Sequence, residues 1–462
     1  MRRYGTVWII LVDLLSAAFA WSTFYFLRAT WLEHKAFEFN PTFYLGVSFV
    51  PLAYLLLYYL QGTYLNVRRL YRLKIIQLTL IASIIGSLML FFVLLLDDDV
   101  INYKDHYVSF LLLWTIHLGF TLIPRVIWST FLIHHLRTAG KGFRTLIIGG
   151  SEKALRIYHE VNDDEHNVNT FIGYVNVNGT DHSLQDAMPY LGHVNDLEEI
   201  LAKHSVDEII IAIESSDHDR LQRILTKIND LRIIVKVLPD MYELLSGTIK
   251  MTNIYGTLFM AINRDVMPLW QQALKRFMDI VLSAIALVLL LPVFLICAIL
   301  VKVSSTGPIF FLQERIGLNN RPFQIIKFRT MVVNAEKEGP QLSSANDRRI
   351  TPVGRFMRKT RLDEFPQFIN VIFGHMSLVG PRPERQFYID QIVQHEPQYL
   401  ILNRVRPGIT SWGQVKYGYA ENVEQMLDRM KYDLLYINNR SIALDLKIMF
   451  YTIAIVLKAK GK

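Results

Sequence analysis

Two adjacent carboxylates, Asp363 and Glu364, lie in a strongly basic part of the chain, residues 355–384. The basic residues around them are Arg355, Arg358, Lys359, Arg361 and Arg382. An anionic nucleophile reaches an anionic phosphoryl group only when fixed positive charge, usually together with a divalent metal ion, offsets their repulsion. A carboxylate pair among cations therefore indicates attack on a diphosphate.

The same residues also have a purely structural interpretation. Apolar side chains recur at the i, i+3, i+4, i+7 spacing of an amphipathic helix, at Phe365, Phe368, Ile369 and Ile372. This spacing predicts a helix from near Pro366 to just before Gly374. Asp363 and Glu364 could then be a capping pair at the helix N-terminus, and spacing alone does not choose between the two interpretations.

Two further segments carry cations that suit phosphate groups. Residues 307–331 read GPIFFLQERIGLNNRPFQIIKFRTM, with the apolar alternation of strands, and residues 406–415 read RPGITSWGQV. Arginine's planar fork binds phosphate oxygens in pairs, so we expect the cations of these segments to converge on substrate phosphates. The predicted phosphate-binding residues are Arg315, Lys327, Arg329, Arg358, Arg382 and Arg406. Glycines and prolines beside Arg382 and Arg406 predict tight turns that hold them stiffly, although each cation taken singly could be an ordinary surface charge.

The three segments, in this order, resemble the bacterial polyprenyl-phosphate hexose-1-phosphate transferases. The chain is most similar to the long form of that family, the undecaprenyl-phosphate glucose phosphotransferases that start exopolysaccharide or O-antigen synthesis. The resemblance implies a sugar phosphotransferase that moves glucose 1-phosphate from UDP-glucose to undecaprenyl phosphate and releases UMP. It also implies Asp363 as the nucleophile of a covalent aspartyl-phosphosugar intermediate and Glu364 as a Mg²⁺ ligand. The sequence departs from the family pattern at Arg361 and Ser411, which could alter donor preference.

Several alternatives stay open at this point. The lipid phosphate could attack the nucleotide sugar directly, with the carboxylates only holding the metal ion. The donor could carry galactose or an N-acetylhexosamine, because donor choice depends on the shape of the pocket. The chain could also be a non-catalytic membrane-bound sensor whose C-terminal part binds phospholipid. A transporter is disfavoured, because the apolar segments show no charge expected to face inward.

Composition limits the class of protein. The chain has 462 residues, 52% of them apolar, and a mean hydropathy of +0.25, so it is too long for one ordinary domain and too apolar to be wholly soluble. Its single cysteine, Cys297, excludes an intrachain disulfide and a cysteine-rich metal site. The net charge of +8 suits an anionic membrane leaflet or anionic substrates, and we expect no nucleic acid partner.

Four apolar segments fill the first third of the chain, at residues 7–27, 43–60, 75–96 and 107–133. Each is about as long as the roughly 20 residues that cross a hydrocarbon core. Basic residues precede the first segment, separate the second from the third and follow the fourth, whereas the other two loops carry mainly acids, including residues 97–99. The positive-inside rule therefore places both ends of this bundle on the cytoplasmic face. The resemblance implies that the membrane is the bacterial inner membrane, with the catalytic part on the same face.

From about residue 143, short β-rich runs alternate with helical ones. The strands are predicted at 144–150, 171–177, 206–213 and 233–238, and the helices at 152–162, 196–204 and 217–229. This alternation predicts a small parallel, Rossmann-like α/β domain. Ser151 stands where a dinucleotide fingerprint has its second glycine, so a tight turn without a cofactor is the preferred interpretation. The resemblance implies that this module is regulatory or oligomerising, and we expect it to be the contact of a homodimer.

A fifth apolar run, residues 280–301, contains Pro292. A fifth crossing would place everything after Lys302 outside the cell, away from cytoplasmic nucleotide sugars. A helix broken at Pro292 that enters and leaves on the cytoplasmic face removes this conflict, because proline removes a backbone donor and bends the axis. Asp279 near the start of the run needs a partner, for which Lys275 or Arg276 is expected.

The predicted architecture thus has three parts. A four-span membrane α-helical bundle occupies residues 1–140, and the Rossmann-like α/β domain occupies residues 143–262. A mixed α/β catalytic domain follows at residues 270–462, with the re-entrant membrane helix at 275–303. Its last segment, 440–462, is expected to lie in the membrane interface, because Asp445 and Lys447 leave an apolar run too short to span.

Overall fold

The structure, a computed structural model, describes residues 2–65, 67, 72–95, 103–138, 142–163, 167–177, 183–213, 218–228, 233–238, 260–262, 267–333, 335, 347–418, 420 and 422–457. The chain divides into two compact units. One comprises Met1–Arg264 with Pro268–Trp270, and the other comprises Asp265–Met267 with Gln271–Lys462. The predicted boundaries between three domains remain predictions.

Four long helices form the start of the first unit, in agreement with the four predicted apolar segments. They are α1 (Arg2–Leu27), α2 (Pro41–Leu60), α3 (Arg72–Leu95) and α4 (Tyr103–Thr138). Each is long and apolar enough to cross a membrane, and at most 39% of its most apolar stretch is buried in protein. The first unit therefore carries a membrane bundle. The acidic run at residues 97–99, which was expected to face outward, lies outside the described residues.

The expectation that no charge faces the inside of this bundle is wrong. Asp13 of α1 and Arg125 of α4 form a buried two-point ion pair, in which both N–O distances are 2.7 Å. Arg125 also donates a hydrogen bond to Thr79 of α3 at 2.8 Å and lies 3.7 Å above the ring of Tyr58 of α2. The pair therefore contacts all four helices. It was missed because 112 residues separate its members.

A six-stranded sheet follows in the order β3-β2-β1-β4-β5-β6. The strands are β1 (Phe143–Ile148), β2 (Asn169–Asn176), β3 (Tyr190–His193), β4 (Glu208–Ile211), β5 (Ile234–Val237) and β6 (Met260–Ile262). The first five are parallel, as predicted, and β6 at the edge is antiparallel to β5. Strands β3 and β6 were not predicted, because runs of four and three residues give too little alternation to recognise.

Three helices alternate with these strands, as predicted: α5 (Glu152–Asn162), α6 (Leu197–Lys203) and α7 (His218–Lys227). Residues 217 and 229, the ends predicted for the last helix, lie outside the described residues. The turn from β1 to α5 requires glycine at Gly149, which has a φ of +131° and where a Cβ would lie 2.8 Å from the carbonyl oxygen of Ala212. This close approach gives the glycine a packing role.

The second unit begins with an apolar helix that is broken in the middle. Helix α8 (Leu269–Leu289) meets α9 (Leu291–Ser304) at an angle of 64°. The break lies at Leu290, and Pro292 occupies the first turn of α9, where a missing N–H group removes no helical hydrogen bond. By length and composition, the pair is either one broken span or a re-entrant loop.

The rest of this unit surrounds two small sheets. The predicted strand-like segments form an antiparallel hairpin of β7 (Phe310–Ile316) and β8 (Pro322–Phe328), and β9 (Ser377–Val379) pairs in parallel with β10 (Gly408–Thr410). The helices are α10 (Pro352–Thr360), α11 (Gln367–Ile372), α12 (Gln386–His395), α13 (Trp412–Lys416), α14 (Val423–Asn438) and α15 (Ile442–Leu457). The largest hydrophobic core of the unit lies where α12, α14 and α15 meet. Helix α11 confirms the amphipathic helix predicted there.

The partners predicted for Asp279 were wrong. Its buried carboxylate accepts hydrogen bonds from the Ser377 hydroxyl at 2.7 Å and from the next backbone N–H group at 3.1 Å. Lys275 instead forms an ion pair with Asp445 of α15 at 2.7 Å, and Arg276 donates to backbone carbonyls at the end of α11. These partners lie about a hundred residues or more away in sequence, so local spacing does not reveal them. Together they fix α8 to the rest of the unit.

Candidate active site

Asp363 and Glu364 lie together on a single 3-10 turn, Leu362–Glu364, between α10 and α11. Both side chains are buried, with 8% and 5% of their surface exposed. The turn follows Arg361, whose φ of 57° lies in the left-handed region that costs a non-glycine residue about 1–3 kcal/mol. The surrounding structure must compensate this strain. The left-handed residue ends α10 and starts the 3-10 turn that holds the two carboxylates inside the unit.

Helix α10 fixes the position of this turn. Thr351 caps the helix by accepting a hydrogen bond from the Gly354 N–H group at 3.0 Å. Gly354 packs directly on the chain just after β8, because a Cβ there would lie 2.1 Å from the carbonyl oxygen of Thr330. The contact leaves no room for a larger residue. The turn with the carboxylates is therefore held close to the cations of β8.

Three cations surround Glu364. Lys327 of β8 lies 3.0 Å from its Oε1 atom, and Arg382 lies 3.5 Å from the same oxygen. Arg361 lies 3.8 Å from the other oxygen, Oε2. Predicted phosphate ligands from β8 and from the turn after β9 thus meet at one carboxylate. More positive than negative charge is gathered at this point.

Asp363 has a different environment. Arg358, whose Nε atom donates to the Thr330 hydroxyl at 2.9 Å, lowers the pKa of Asp363 through its charge. Among the described residues, no side chain donates a hydrogen bond to the Asp363 carboxylate. A buried carboxylate that is surrounded by cations but not tied to any of them is available for chemistry.

Burial and charge move the pKa values of the pair in opposite directions. Burial, reinforced by the adjacent charge of Glu364, raises the pKa of Asp363 above the ordinary 3.8 of an aspartic acid, and the neighbouring cations only partly offset this. Burial acts on Glu364 in the same sense, but Lys327 and Arg382 outweigh it and lower the pKa of Glu364 below its ordinary value. Divergent pKa values in two adjacent carboxyl groups are typical of a division of chemical roles.

A second layer of charge lies behind these residues and was not predicted. Arg315, half-buried and predicted to bind phosphate, forms an ion pair with Glu384 at 3.1 Å. The other oxygen of Glu384 accepts a hydrogen bond from Arg429 of α14 at 2.5 Å. These two cations outweigh burial and lower the pKa of Glu384. The sequence offered one signal for Glu384, its position directly after the predicted Gly-Pro-Arg-Pro turn. No sequence pattern in α14 distinguishes Arg429.

Two of the predicted phosphate-binding residues lie apart from this cluster. Arg329 donates to the backbone carbonyl and hydroxyl oxygens of Ser305, at 2.7 and 2.9 Å, and so holds the corner after α9. Arg406 is exposed and donates to the carbonyl oxygen of Gly374 at 3.0 Å. The structure therefore brings four of the six predicted cations together, namely Arg315, Lys327, Arg358 and Arg382.

The interpretation of the carboxylates as a helix cap is wrong. The residue before α11 is Pro366, without a side-chain cap, and no backbone N–H group of α11 in the described structure donates to Asp363 or Glu364. The chemistry of the pair fits Mg²⁺, which is commonly bound by one or two carboxylates together with substrate phosphate oxygens. Oε2 of Glu364 retains this capacity, because Arg361, the cation nearest to it among the described residues, lies at 3.8 Å, beyond hydrogen-bond distance. No group of three or more metal-binding side chains converges among the described residues.

Comparisons with known proteins cover most of the chain. The profile of the bacterial sugar transferase family matches residues 270–459, and that of a CoA-binding domain matches residues 58–239. A UDP-N-acetylgalactosamine-undecaprenyl-phosphate N-acetylgalactosaminephosphotransferase of Aeromonas hydrophila is 45% identical over 188 residues, which are 41% of this chain and 44% of the relative. A UDP-glucose:undecaprenyl-phosphate glucose-1-phosphate transferase of Klebsiella pneumoniae is 36% identical over 273 residues, 57% of each chain.

The match thus spans only about half the length of these two relatives. A third relative is covered further. The UDP-glucose:undecaprenyl-phosphate glucose-1-phosphate transferase of Xanthomonas campestris pv. campestris is 33% identical over 349 residues, 71% of this chain and 69% of the relative. Since this similarity extends over more than two thirds of both proteins, and the residues matched by the family profile include both carboxylates and every cation of the candidate site, the chain belongs to the bacterial sugar transferase family.

Proposed function

We propose that this protein transfers a hexose 1-phosphate from a nucleotide diphosphosugar to undecaprenyl phosphate and releases the nucleoside monophosphate. The observation that supports the proposal most directly is the buried Asp363–Glu364 turn with Lys327, Arg358 and Arg382 around it. Fixed cations at an anionic nucleophile are what a phosphoryl donor requires. The relatives named above carry out the same class of reaction according to their names.

The proposed reaction has two steps. In the first, a carboxylate oxygen of Asp363 attacks the sugar-linked phosphorus, the bond from that phosphorus to the bridging oxygen breaks, and UMP leaves with the bonding electrons. The sugar phosphate is then held as an acyl phosphate on Asp363. In the second, an oxygen of the lipid phosphate attacks the same phosphorus and displaces the carboxylate. Two anionic substrates then need never meet directly, which supports this route over direct attack by the lipid phosphate.

The neighbouring residues have separate roles in this proposal. Lys327 and Arg382 bind the phosphate oxygens of the donor and keep Glu364 ionised, and Arg358 stabilises the ionised form of Asp363. Glu364, with the donor's diphosphate, would hold Mg²⁺, which supplies further neutralisation of phosphate charge when bound. The raised pKa of Asp363 makes its carboxylate a better nucleophile than an ordinary aspartate once it is deprotonated.

We propose UDP-glucose as the donor, in agreement with the names of the relatives from Klebsiella pneumoniae and Xanthomonas campestris. A second candidate is UDP-N-acetylgalactosamine, because the Aeromonas hydrophila relative named for it is 45% identical over the catalytic part. Incubation of membranes with undecaprenyl phosphate and a panel of UDP-sugars, with UMP as the measured product, distinguishes them.

The proposal also includes the placement of the protein. The 64° break between α8 and α9 supports a re-entrant helix that keeps the catalytic unit on the cytoplasmic face of the bacterial inner membrane. The strand order 3-2-1-4-5 supports a Rossmann-like fold for the sheet. We propose this α/β part as the contact of a homodimer.

The test of the nucleophile is Asp363→Asn, measured as UMP release and as a sugar-phosphate adduct by mass spectrometry. The change is expected to lower UMP release by at least about a thousandfold and to abolish the adduct. It should not destabilise the fold at neutral pH, because a carboxyl group whose folded pKa is raised is least favourable when charged. Asp390→Asn on α12, an exposed position, is the matched control and should behave like wild type.

Retention of full turnover by Asp363→Asn would contradict the nucleophile and favour direct attack by the lipid phosphate. Absence of UMP release from the wild-type protein with every donor would favour the non-catalytic sensor. Release of UDP in place of UMP would show an ordinary glycosyltransferase instead.

A further inference from the structure

A cavity of about 250 Å³ opens beside the carboxylate turn. Its inner end is lined by Arg361 and Glu364, and its walls are formed by Phe365, Phe368, Ile409 and Ile453 with two threonines, Thr410 and Thr452. Pockets that enclose a whole drug-sized ligand have roughly 300–1,000 Å³. A cavity of this volume therefore accommodates part of a larger ligand.

The polar groups of the walls are already used within the protein. The hydroxyl groups of Thr410 and Thr452 lie 2.7 Å apart, and Thr452 donates its hydrogen to the carbonyl oxygen of Ile448 at 2.9 Å. Thr410 must then donate to Thr452, so neither hydroxyl keeps a hydrogen for a ligand. The walls consequently offer no hydrogen-bond donor to a uracil, a ribose or a hexose. An apolar ligand segment suits them.

The mouth of the cavity lies at an apolar surface. Ile453 on α15 is 59% exposed, and the adjacent Phe450 is 73% exposed. The cavity therefore runs from exposed apolar side chains, past the tilted rings of Phe365 and Phe368, to the guanidinium and carboxylate groups of the active site. A ligand with a phosphate at one end and a hydrocarbon chain at the other matches this order.

We infer that this cavity holds the first isoprenoid units of the polyprenyl phosphate acceptor. The inference rests on the proposed function and adds to it the residues that select the lipid. We assign the isoprenoid chain, not a phospholipid acyl chain, because the cavity is continuous with Glu364, where the terminal phosphate of the acceptor must arrive for transfer. Arg361, at the inner end, is placed to meet that phosphate.

The test is Ile453→Trp in the full-length protein, which fills the mouth of the cavity from an exposed position. The KM for the lipid phosphate is expected to rise about tenfold, for undecaprenyl phosphate and for the shorter farnesyl phosphate alike, since only the first units are held. The burst of UMP released from the donor without lipid should be unchanged, which also shows that the variant is folded. Phe450→Trp is the matched control. It introduces a tryptophan on the same helix but outside the cavity, and it should keep the wild-type KM for the lipid phosphate.

The outcomes separate the two proposals. An unchanged lipid KM in Ile453→Trp, or a raised KM for the nucleotide sugar, overturns the assignment of the cavity while wild-type UMP release still supports the proposed function. Absence of UMP release from the wild-type protein overturns the proposed function and this inference with it. Should Ile453→Trp fail to accumulate, Ile453→Phe makes the same test with a smaller added volume.

Discussion

Two groups of buried charges, one in each compact unit, are built differently. In the membrane bundle, Asp13 and Arg125 are both about 1% exposed and satisfy each other through two hydrogen bonds of 2.7 Å. Tyr64 donates to Asp13, and Arg125 donates to Thr79, so the remaining polar atoms also have partners. One negative charge meets one positive charge. Nothing about this pair invites a further anion.

The charges around Glu364 do not balance in this way. Lys327, Arg361 and Arg382 face a single carboxylate, and Asp363 beside it receives no hydrogen bond from the described side chains. Several cations gathered at one buried carboxylate favour the arrival of an anionic ligand. The two groups therefore differ in the number of cations at the carboxylate more than in burial: among the residues described, one cation faces Asp13, and three face Glu364.

The largest effect that tests this comparison is expected from Arg125→Met. The change removes the cation and leaves the Asp13 carboxylate buried without its partner, which should reduce the free energy of unfolding by about 3–5 kcal/mol. The measurement is reversible unfolding of the purified protein in detergent. The double variant Asp13→Leu/Arg125→Met, in which neither charge remains, should recover most of the loss. A loss below about 1 kcal/mol in the single variant would show that the pair does not stabilise the bundle.

Removal of a cation near Glu364 should affect turnover more than stability, the reverse of what is expected for the membrane pair. Lys327→Met replaces the cation with an uncharged side chain of similar length. Glu364 keeps Arg361 and Arg382, so the free energy of unfolding should change by less than about 1 kcal/mol. The value of kcat/KM for UMP release should fall about 100-fold, because a fixed charge near the phosphoryl group is lost.

Lys431→Met is the matched control for this variant. Lys431 is exposed on α14, and within the described part of the chain its ion pair is with the half-exposed Asp428, so neither stability nor turnover should change measurably. Should Lys327→Met instead unfold the protein while retaining turnover, the cluster would be structural in the way that the membrane pair is.

Sequence patterns predicted the features that depend on residues close together in the chain. The apolar segments gave α1 to α4, the alternating run gave β7 and β8, and the adjacent Asp363 and Glu364 among basic residues gave the core of the candidate site. Periodicity and composition are local, so they were sufficient for these elements.

Pairs formed between distant segments could not be predicted in the same way. Asp13 and Arg125 are 112 residues apart, Glu384 and Arg429 are 45 apart, and each looks ordinary in its own helix or turn. Arg329 illustrates the same point, since its Nη2 atom donates to Ser305, a partner 24 residues away that the sequence pattern did not indicate. Which cation meets which anion is decided by tertiary packing.

The smallest expected effect is a displacement of the pH dependence of UMP release. Asp363 attacks in its deprotonated form, and burial with the charge of Glu364 raises its pKa, so the rate should begin to fall with decreasing pH well above the ordinary 3.8 of an aspartic acid. Lys327 lowers the pKa of Asp363, so its removal in Lys327→Met must raise that pKa further and move the acid limb to higher pH. The measurement is kcat/KM against pH for both proteins, and Lys431→Met should follow the wild-type curve. An acid limb that stays in place, or moves to lower pH, would show that the carboxylate which titrates in the reaction is not Asp363.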